Sequence, residues 1–371
     1  MPQPVVAAVL EQYHTPLEVK ELEVDEPRPG EVLVKAVATG VCHTDAITRD
    51  ADLPFPAPGV LGHEGAGIVE AVGGDVTMVA PGDRVVVGWP WCGVCRNCQA
   101  GRHRYCELMP PMVTMGSRFD HSCALHRPGG GDAVHSHYFG QSSFSTRYVT
   151  WERSCVKVAD DAPLELLGPL ACGLSTGAGT VLNTLDPEPG SSIAIFGTGA
   201  VGLSALAMAS EKACTTIIGV DLVDSRLKLA TEFGATHTVN AKEANAVDAI
   251  REITGGRGVD YAVETTGNVA VLRNCTEALA MPGVCAVVGG APAGAEFTLD
   301  HLTILWGRSV RGTLGGEGQS ASLIPTLIDL HRLGRFPFDR MVEYFDLEQV
   351  NEAMEASHHG EVIKPVLRMP A

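Results

Sequence analysis

No stretch of the chain holds the run of about 20 apolar residues that a membrane span needs. The opening, MPQPVVAAVLEQYHTPLEVK, has no basic segment, no apolar core and no small-residue cleavage site, so nothing in it resembles a secretory leader. Heptads, internal repeats and low-complexity tracts are also missing. Positive charge is scarce: 27 Lys and Arg stand against 44 Asp and Glu, a net charge of −17. That balance argues against nucleic acid or an anionic membrane surface as a partner. Together these absences lead us to expect a cytoplasmic chain, in which thiols stay reduced. Its 11 cysteines, an odd number, then read as metal ligands and buried apolar filler.

What is present fits a large globular α/β protein. A length of 371 residues suggests two domains, and 45% apolar residues are ample for their cores. Up to about Leu164 the chain reads as valine-rich strands separated by turn residues, for example VVAAVL, LEVKELEV and EVLVKAVATGVC. Long helical periodicity is hard to find in this part. From SSIAIFG onward, strands alternate with helices through TTIIGVD, SRLKLATEFGA, VDYAVETTG, AVLRNCTEALAMPG (expected as a helix) and VCAVVGG, which implies a doubly wound parallel sheet. SVRGTL reads as an edge strand of it. The tail has two helical segments and ends in EVIKPVLRM, expected as a strand returning to the first domain. The boundaries expected are 1–173 with 315–371 for the β-rich domain, and 174–314 for the doubly wound one.

Two motifs carry chemistry on spacing alone. In IAIFGTGAVGLSALAMA, the run Gly197, Thr198, Gly199, Ala200, Val201, Gly202 follows a strand and opens a helix, the context of a dinucleotide site. Gly197 permits the tight turn, Gly199 lets the backbone approach a pyrophosphate, and Gly202 allows close helix packing. Asp221 ends the next strand, where a carboxylate accepts bonds from the adenosine ribose hydroxyls and repels a 2′-phosphate; that favours NAD over NADP. In CGVCRNCQAGRHRYC, Cys92, Cys95, Cys98 and Cys106 match a closed Cys₄ zinc site. Three further segments, GVCHTD, LGHEG and LACGLSTG, supply Cys42, His63 and Cys172. Together these would form an open Cys₂His zinc site, although spacing alone does not bring them together.

These motifs, with GAGIVEAVG and PGDRVV, run in one order along the whole chain. In that order the chain resembles the zinc-dependent medium-chain alcohol dehydrogenases, within them most the aryl-alcohol (benzyl alcohol) dehydrogenases. The resemblance implies a GroES-like catalytic domain, a Rossmann domain and an active site in the cleft between them. It implies two zinc ions per chain, one on Cys42, His63 and Cys172 and a structural one on Cys92, Cys95, Cys98 and Cys106. Glu64 is implied beneath the first zinc as an occasional ligand, and Asp45 as the carboxylate that orients His63. Thr44 would take the alcohol proton. His43 and Lys364 match basic positions at the cofactor pyrophosphate, Arg226 a basic residue near the adenosine ribose, and Val288 completes the cofactor set. The long segment between Cys106 and Cys172 resembles that of the dimeric liver-type enzymes, so a homodimer is expected.

Departures from the pattern narrow the substrate. Where the liver-type enzymes place a relay histidine, this chain has Ile47. The acids and the arginine of the glutathione-dependent branch align with Ala51, Leu53 and Pro110. The expectation is a zinc- and NAD-dependent oxidation of primary alcohols to aldehydes, reversible, on aryl or allylic alcohols such as benzyl alcohol. The rivals are an S-(hydroxymethyl)glutathione/formaldehyde or polyol dehydrogenase, a general medium-chain alcohol dehydrogenase and, outside catalysis, a nucleotide-binding redox sensor. Cys123, His121, His126, His135 and His137 are expected in a solvated loop rather than at a third metal. Trp89 and Trp91 are left between edging a substrate pocket and plain packing. Cys155, Cys214, Cys275 and Cys285 are expected as core filler.

Overall fold

The computed structural model describes residues 2–370, which group into two compact units. One holds the chain up to Cys172, with 319–325 and the tail from Asp339; the other holds 173–318 and 326–338. The segments 315–318 and 326–338 therefore group with the second unit, which differs from the expected placement of all of 315–371 in the first.

The strands of the first unit are, in chain order, β1 (Gln3–Leu10), β2 (Glu18–Val24), β3 (Glu31–Gly40), β4 (Gly59–Val60), β5 (Gly65–Val72), β6 (Arg84–Val87), β7 (Leu125–His126), β8 (Ala133–Val134), β9 (Arg147–Trp151) and β10 (Cys155–Lys157). One sheet runs β4-β1-β2-β7-β8. The other contains β10-β6-β5-β3, with β9 also paired to β3. Strand β3, EVLVKAVATG, is buried at almost every position, so its sequence is a near-continuous apolar run rather than an alternation. Between β3 and β4 lies a short helix, α1 (His43–Arg49). Seven residues are too few to show a helical period, so hydrophobic patterning does not announce it. Its start is nevertheless encoded: the Cys42 N–H donates to the Asp45 side chain three residues on, at 2.9 Å, half of a capping box.

The second unit carries β11 (Ser192–Phe196), β12 (Thr216–Asp221), β13 (His237–Asn240), β14 (Val259–Glu264), β15 (Leu279–Val287) and β16 (Arg308–Gly312). They form one parallel sheet in the order β13-β12-β11-β14-β15-β16, the doubly wound arrangement. Strand β16 is at its edge, as expected. One boundary differs from expectation: the helix read over AVLRNCTEALAMPG ends at Glu277, and LAMPG opens β15. Pro282 has no N–H and its ring would clash with the preceding helical turn, so the helix stops before it. Cys275 and Cys285 lie fully buried in this unit's apolar core, and Cys155 and Cys214 are buried too.

The tail adds β17 (Val342–Asp346) and β18 (Lys364–Arg368) to the first unit. Strand β18 pairs antiparallel with β3, Val366 opposite Gly40, so the last strand does return to the β-rich unit. This pairing sets Lys364 beside the segment that carries Cys42.

Candidate active site and metal centres

Three segments of the first unit converge on one point. Strand β3 ends at Gly40, two residues before Cys42; β5 begins at Gly65, directly after His63 and Glu64; and a helical turn at 168–171 ends at Cys172. β3 and β5 pair with Thr39 opposite Gly65, which presses Gly40 against Glu64. A Cβ on Gly40 would stand 2.0 Å from Glu64 Oε2, so this close approach requires glycine. As a result, one donor atom from each of Cys42, His63, Glu64 and Cys172 lies within 4.8 Å of the others.

The surroundings orient these donors. Asp45 and His63 are fully buried, and Asp45 Oδ1 lies 3.0 Å from His63 Nδ1. Asp45 also accepts from the N–H groups of Cys42 and Gly62, which fix its carboxylate. With Nδ1 engaged, the free lone pair of His63 falls on Nε2, the tautomer a metal ligand needs. Nε2 is buried and makes no hydrogen bond. A buried polar atom without a partner costs free energy unless something occupies it, and a zinc ion fits this Cys₂His set. Without metal, the Cys42 thiol is held low by a hydrogen bond from Cys172, against burial and with help from His63. Cys172 is correspondingly raised by Cys42 and by burial. His63 is held up despite burial by the charge and hydrogen bond of Asp45. Burial pushes the Glu64 carboxyl up to about 7, with Lys364 pulling against it.

Lys364 does not stand free at a surface. Its Nζ donates to the Val41 carbonyl at 2.9 Å and to Glu64 Oε1 at 2.8 Å, and the residue is 3% exposed. Its ammonium is engaged by Glu64. Thr44 Oγ1 lies 3.6 Å from Cys42 Sγ, and His43 is exposed at the head of α1.

The second donor set is local. The sulfurs of Cys92, Cys95, Cys98 and Cys106 all lie within 4.8 Å of one another. Tetrahedral zinc with bonds of about 2.3 Å would set sulfurs about 3.8 Å apart, and Cys92 and Cys98 stand at 3.9 Å. Backbone N–H groups already point at the sulfurs: Cys92 to Cys106, Cys95 to Cys92, and Cys98 to Cys95, at 3.3–3.5 Å. The set therefore fits a closed four-thiolate site. Among the described residues these two groups are the ones of metal-ligating character.

The expected solvated loop is a correction. Cys123 and His137 are buried, His126 and His135 half-buried, and only His121 is exposed. The segment is ordered because β7 and β8 extend a sheet, and because Arg118 reaches back to Glu31 at 2.7 Å.

Phe139, Arg104 and Gln141 lie near the first donor set and carry no signal in the sequence, and Trp89, named there, joins them. Phe139 stacks on the His63 ring at 4.5 Å, and Trp89 meets Phe139 edge-on at 5.2 Å. Trp89 is thus part of the packing around His63, whereas Trp91 stacks on His103 in the four-cysteine lobe. Arg104 is buried over Trp89 at 4.7 Å, its pKa lowered to about 10 by burial with Cys172 opposing. Gln141 is buried behind the His63 backbone. Single residues of these types in loops give no periodic or motif signal.

In the second unit the glycine run has the geometry of a phosphate cradle. Gly197 has φ +90°, and a Cβ on Gly202 would collide with the Gly197 carbonyl at 1.8 Å. Gly199 has no neighbouring atom within 4 Å of a Cβ position, so space is open where a pyrophosphate would approach. The helix Ala200–Glu211 begins there, its N–H groups unpaired by the helix itself. Asp221, at the end of β12, accepts from Thr198 N and Oγ1 at 2.7 and 2.9 Å and from Leu222 N and Val223 N at 2.7 and 3.0 Å. Half-buried Arg226 follows on the next helix, its Nε without a hydrogen bond. Val288, just past β15, is half-buried and donates to the Glu264 carbonyl.

A dinucleotide-type sheet in one unit, and in the other a four-thiol set and a set of two thiols, a histidine and a carboxylate, together define a zinc dehydrogenase architecture. Residues 28–160 match the alcohol dehydrogenase GroES-like domain, and residues 200–331 the zinc-binding dehydrogenase family. The geraniol dehydrogenase of Castellaniella defragrans is 43% identical over 365 residues, covering 97% of this chain and 96% of the relative. The crystal structure of an alcohol dehydrogenase zinc-binding domain protein from Burkholderia ambifaria superposes with a TM-score of 0.98 at 47% identity, over 100% of both chains. That of benzyl alcohol dehydrogenase from Acinetobacter calcoaceticus does so at 0.96 and 41%, over 99% of this chain and 100% of that one. The chain belongs to the zinc-dependent medium-chain alcohol dehydrogenases, a family of oxidoreductases with a GroES-like and a Rossmann domain.

Proposed function

We propose that this protein is a two-zinc, NAD-dependent dehydrogenase that oxidises primary alcohols reversibly to aldehydes, with aryl and allylic alcohols such as benzyl alcohol as its preferred class. The observation that carries the reading is the grouping of Cys42, His63, Glu64 and Cys172 within 4.8 Å of one another, with a buried His63 Nε2 that has no hydrogen bond. The substrate class draws on the relatives, one named for geraniol and one for benzyl alcohol.

Cys42, His63 and Cys172 would hold the catalytic zinc, and Cys92, Cys95, Cys98 and Cys106 the structural one. When bound, zinc supplies Lewis acidity toward the alcohol oxygen, and NAD supplies the hydride acceptor. Asp45 keeps the His63 imidazole turned toward the metal position. The Thr44 hydroxyl would accept the alcohol proton while passing its own proton onward toward the cofactor ribose. The Thr44 carbonyl is fixed by Thr48 Oγ1 at 2.8 Å and Tyr138 Oη at 3.2 Å, which holds this residue in register with Cys42. Lys364 neutralises the buried Glu64 carboxylate. His43, Gly197 to Gly202, Asp221, Arg226, Val288 and Lys364 are assigned to the dinucleotide. Assembly as a homodimer is part of the reading. Edge strand β16 and the exposed Leu305 and Trp306 just before it, 63% and 56% exposed, support it.

The test is elemental analysis of freshly purified, unchelated protein, followed by turnover with NAD⁺ across ethanol, benzyl alcohol, S-hydroxymethylglutathione and sorbitol. Two zinc ions per chain and turnover of benzyl alcohol are expected. Fewer than two zinc ions, or no turnover of any primary alcohol, overturns the reading.

A further inference from the structure

Gln141 belongs to neither donor set, yet its side chain is placed with unusual completeness. It is 1% exposed. Its Oε1 accepts from Gly65 N at 3.0 Å, while its Nε2 donates to the His63 carbonyl at 3.1 Å and to the Val87 carbonyl at 3.0 Å. The partners fix the amide's orientation: only its oxygen can receive an N–H, and only its nitrogen can serve two carbonyls. The first two bonds bracket Glu64, one on the residue before it and one on the residue after. A single amide therefore pins the backbone from which both His63 and Glu64 project. The third bond ends on Val87, the last residue of β6, from which the chain runs through Gly88 to Cys92.

The rest of the loop braces the same segment. Ser142 Oγ donates to the Val60 carbonyl at 2.6 Å, Ser143 N to the Gly62 carbonyl at 2.9 Å and Phe144 N to the Leu61 carbonyl at 3.1 Å. Phe139 stacks on the His63 ring from this loop as well. Among these contacts, Gln141 makes the side-chain bonds to the main chain of His63 and Gly65.

We propose that Gln141 is a positioning residue for the open metal site: its amide sets the main chain that presents His63 and Glu64, and through Val87 it ties that site to the strand feeding the four-cysteine lobe. The inference rests on the two-zinc reading above. Its physical basis is that removing the amide strands three buried backbone groups. The ligand segment then relaxes to satisfy them, and the preset geometry that slows metal loss goes with it. The four-cysteine site, held by its own N–H···S bonds, should not respond in the same way.

The experiment is zinc release to a chromogenic chelator, followed as a fast phase from the open site and a slow phase from the closed one. Gln141→Met removes all three bonds at similar length. Gln141→Glu keeps the acceptor for Gly65 but turns an oxygen on the two carbonyls, and serves if the first variant does not fold. Ser142→Ala is the control: it loosens the same loop by losing the bonds to Val60 and to the Tyr138 N–H, without touching His63 or Gly65. We expect the Gln141 variants to release the fast-phase zinc about 10-fold faster, with the slow phase unchanged, and Ser142→Ala to lose thermal stability while releasing zinc at the native rate. Native release rates in the Gln141 variants overturn the role of Gln141, and so does equal acceleration in Ser142→Ala. A native protein holding fewer than two zinc ions overturns the two-zinc reading instead, and elemental analysis tells the two failures apart.

Discussion

Lys364 and Glu64 form a buried ion pair in the first unit. Nζ stands 2.6 Å from Oε2, with side-chain exposures of 4% and 0%. They are 300 residues apart in sequence and meet because β18 pairs with β3. Removing one partner of such a pair leaves the other charge buried and uncompensated, which costs about 3–5 kcal/mol. Lys364→Met should therefore lower stability by roughly 3 kcal/mol. Lys364→Met combined with Glu64→Gln should be milder than the single change. Urea denaturation of the native protein, both single variants and the double variant would check this, and an additive double variant would show that the pair is not coupled.

The two cysteine sets should fail in different ways. Cys95 caps a helical turn and accepts the Cys98 N–H at 3.5 Å, inside a lobe with little core of its own. Metal binding there is folding energy. Cys95→Ser should reduce the melting temperature and the yield of soluble protein. Cys42→Ser should leave the fold and abolish turnover, because its site sits on strands that are held independently of any metal. Mild chelation should likewise remove activity before structure, which circular dichroism and a rate assay on one sample will show.

Asp221 should decide the cofactor. Its carboxylate is held by four donors from Thr198, Leu222 and Val223, so it cannot swing away from a 2′-phosphate without stranding them. A phosphate there would face a fixed like charge, a repulsive element that sets specificity. NAD⁺ should exceed NADP⁺ in kcat/KM by orders of magnitude, and Asp221→Ser should narrow the gap. Native kinetics that treat both cofactors alike would refute the assignment.

Stability should fall with acid because of His137. Burial holds its imidazole down to about 4; Glu31, 3.9 Å away, pulls upward, and Arg118 and Arg28 push downward. The unfolded chain would protonate this histidine near 6.5. Above that pH the group contributes nothing to the slope. Between about 6.5 and 4 the unfolded state binds the extra proton, so stability drops by about 1.4 kcal/mol per pH unit and about 3 kcal/mol in all. Glu31, whose carboxyl Arg118 holds low against its burial, adds acid sensitivity only below the ordinary carboxylate range. His137→Asn should flatten the urea midpoint between pH 6.5 and 5; His137 has φ +66°, which asparagine tolerates. An unchanged slope in that variant would assign the loss to other groups.

The legible parts of this molecule are the local ones. Gly197 to Gly202 and Asp221 sit within one βαβ unit, and four cysteines sit in fifteen residues, so spacing alone announces them. The parallel sheet follows from the alternation of apolar runs and helices. Cys42, His63 and Cys172 needed the family resemblance, since their convergence depends on the β3–β5 pairing and a turn more than a hundred residues on. The rest is long-range and nonperiodic. Gln141 acts 76 and 78 residues away from its own position, and the Lys364–Glu64 pair joins residues 300 positions apart. The histidines between 121 and 137 read as a polar loop because their burial comes from a sheet edge and the Arg118–Glu31 pair, neither of which leaves a local trace.

The substrate prediction turns on Ile47. It lies on α1 three residues after Thr44, half-buried, where a histidine would otherwise carry the alcohol proton onward. An isobutyl-sized apolar side chain cannot accept a proton, so the step from the Thr44 hydroxyl to solvent has no imidazole at this position. Alcohols with more acidic hydroxyls and stabilised carbonyl products need such help least. Benzylic and allylic alcohols meet both conditions, because their aldehydes are conjugated. The aromatic wall of Trp89, Phe139 and Tyr138 around His63 is also in keeping with an apolar, planar substrate. Benzyl or cinnamyl-type alcohols should therefore exceed ethanol in kcat/KM by at least ~10-fold, which is about 1.4 kcal/mol of transition-state binding. Ile47→His should raise kcat near neutral pH only if proton release limits the rate. A solvent isotope effect on kcat in the native enzyme, diminished in Ile47→His, would show that it does. If ethanol or S-hydroxymethylglutathione ranks first in the native panel, the aryl-alcohol assignment falls while the zinc dehydrogenase family stands.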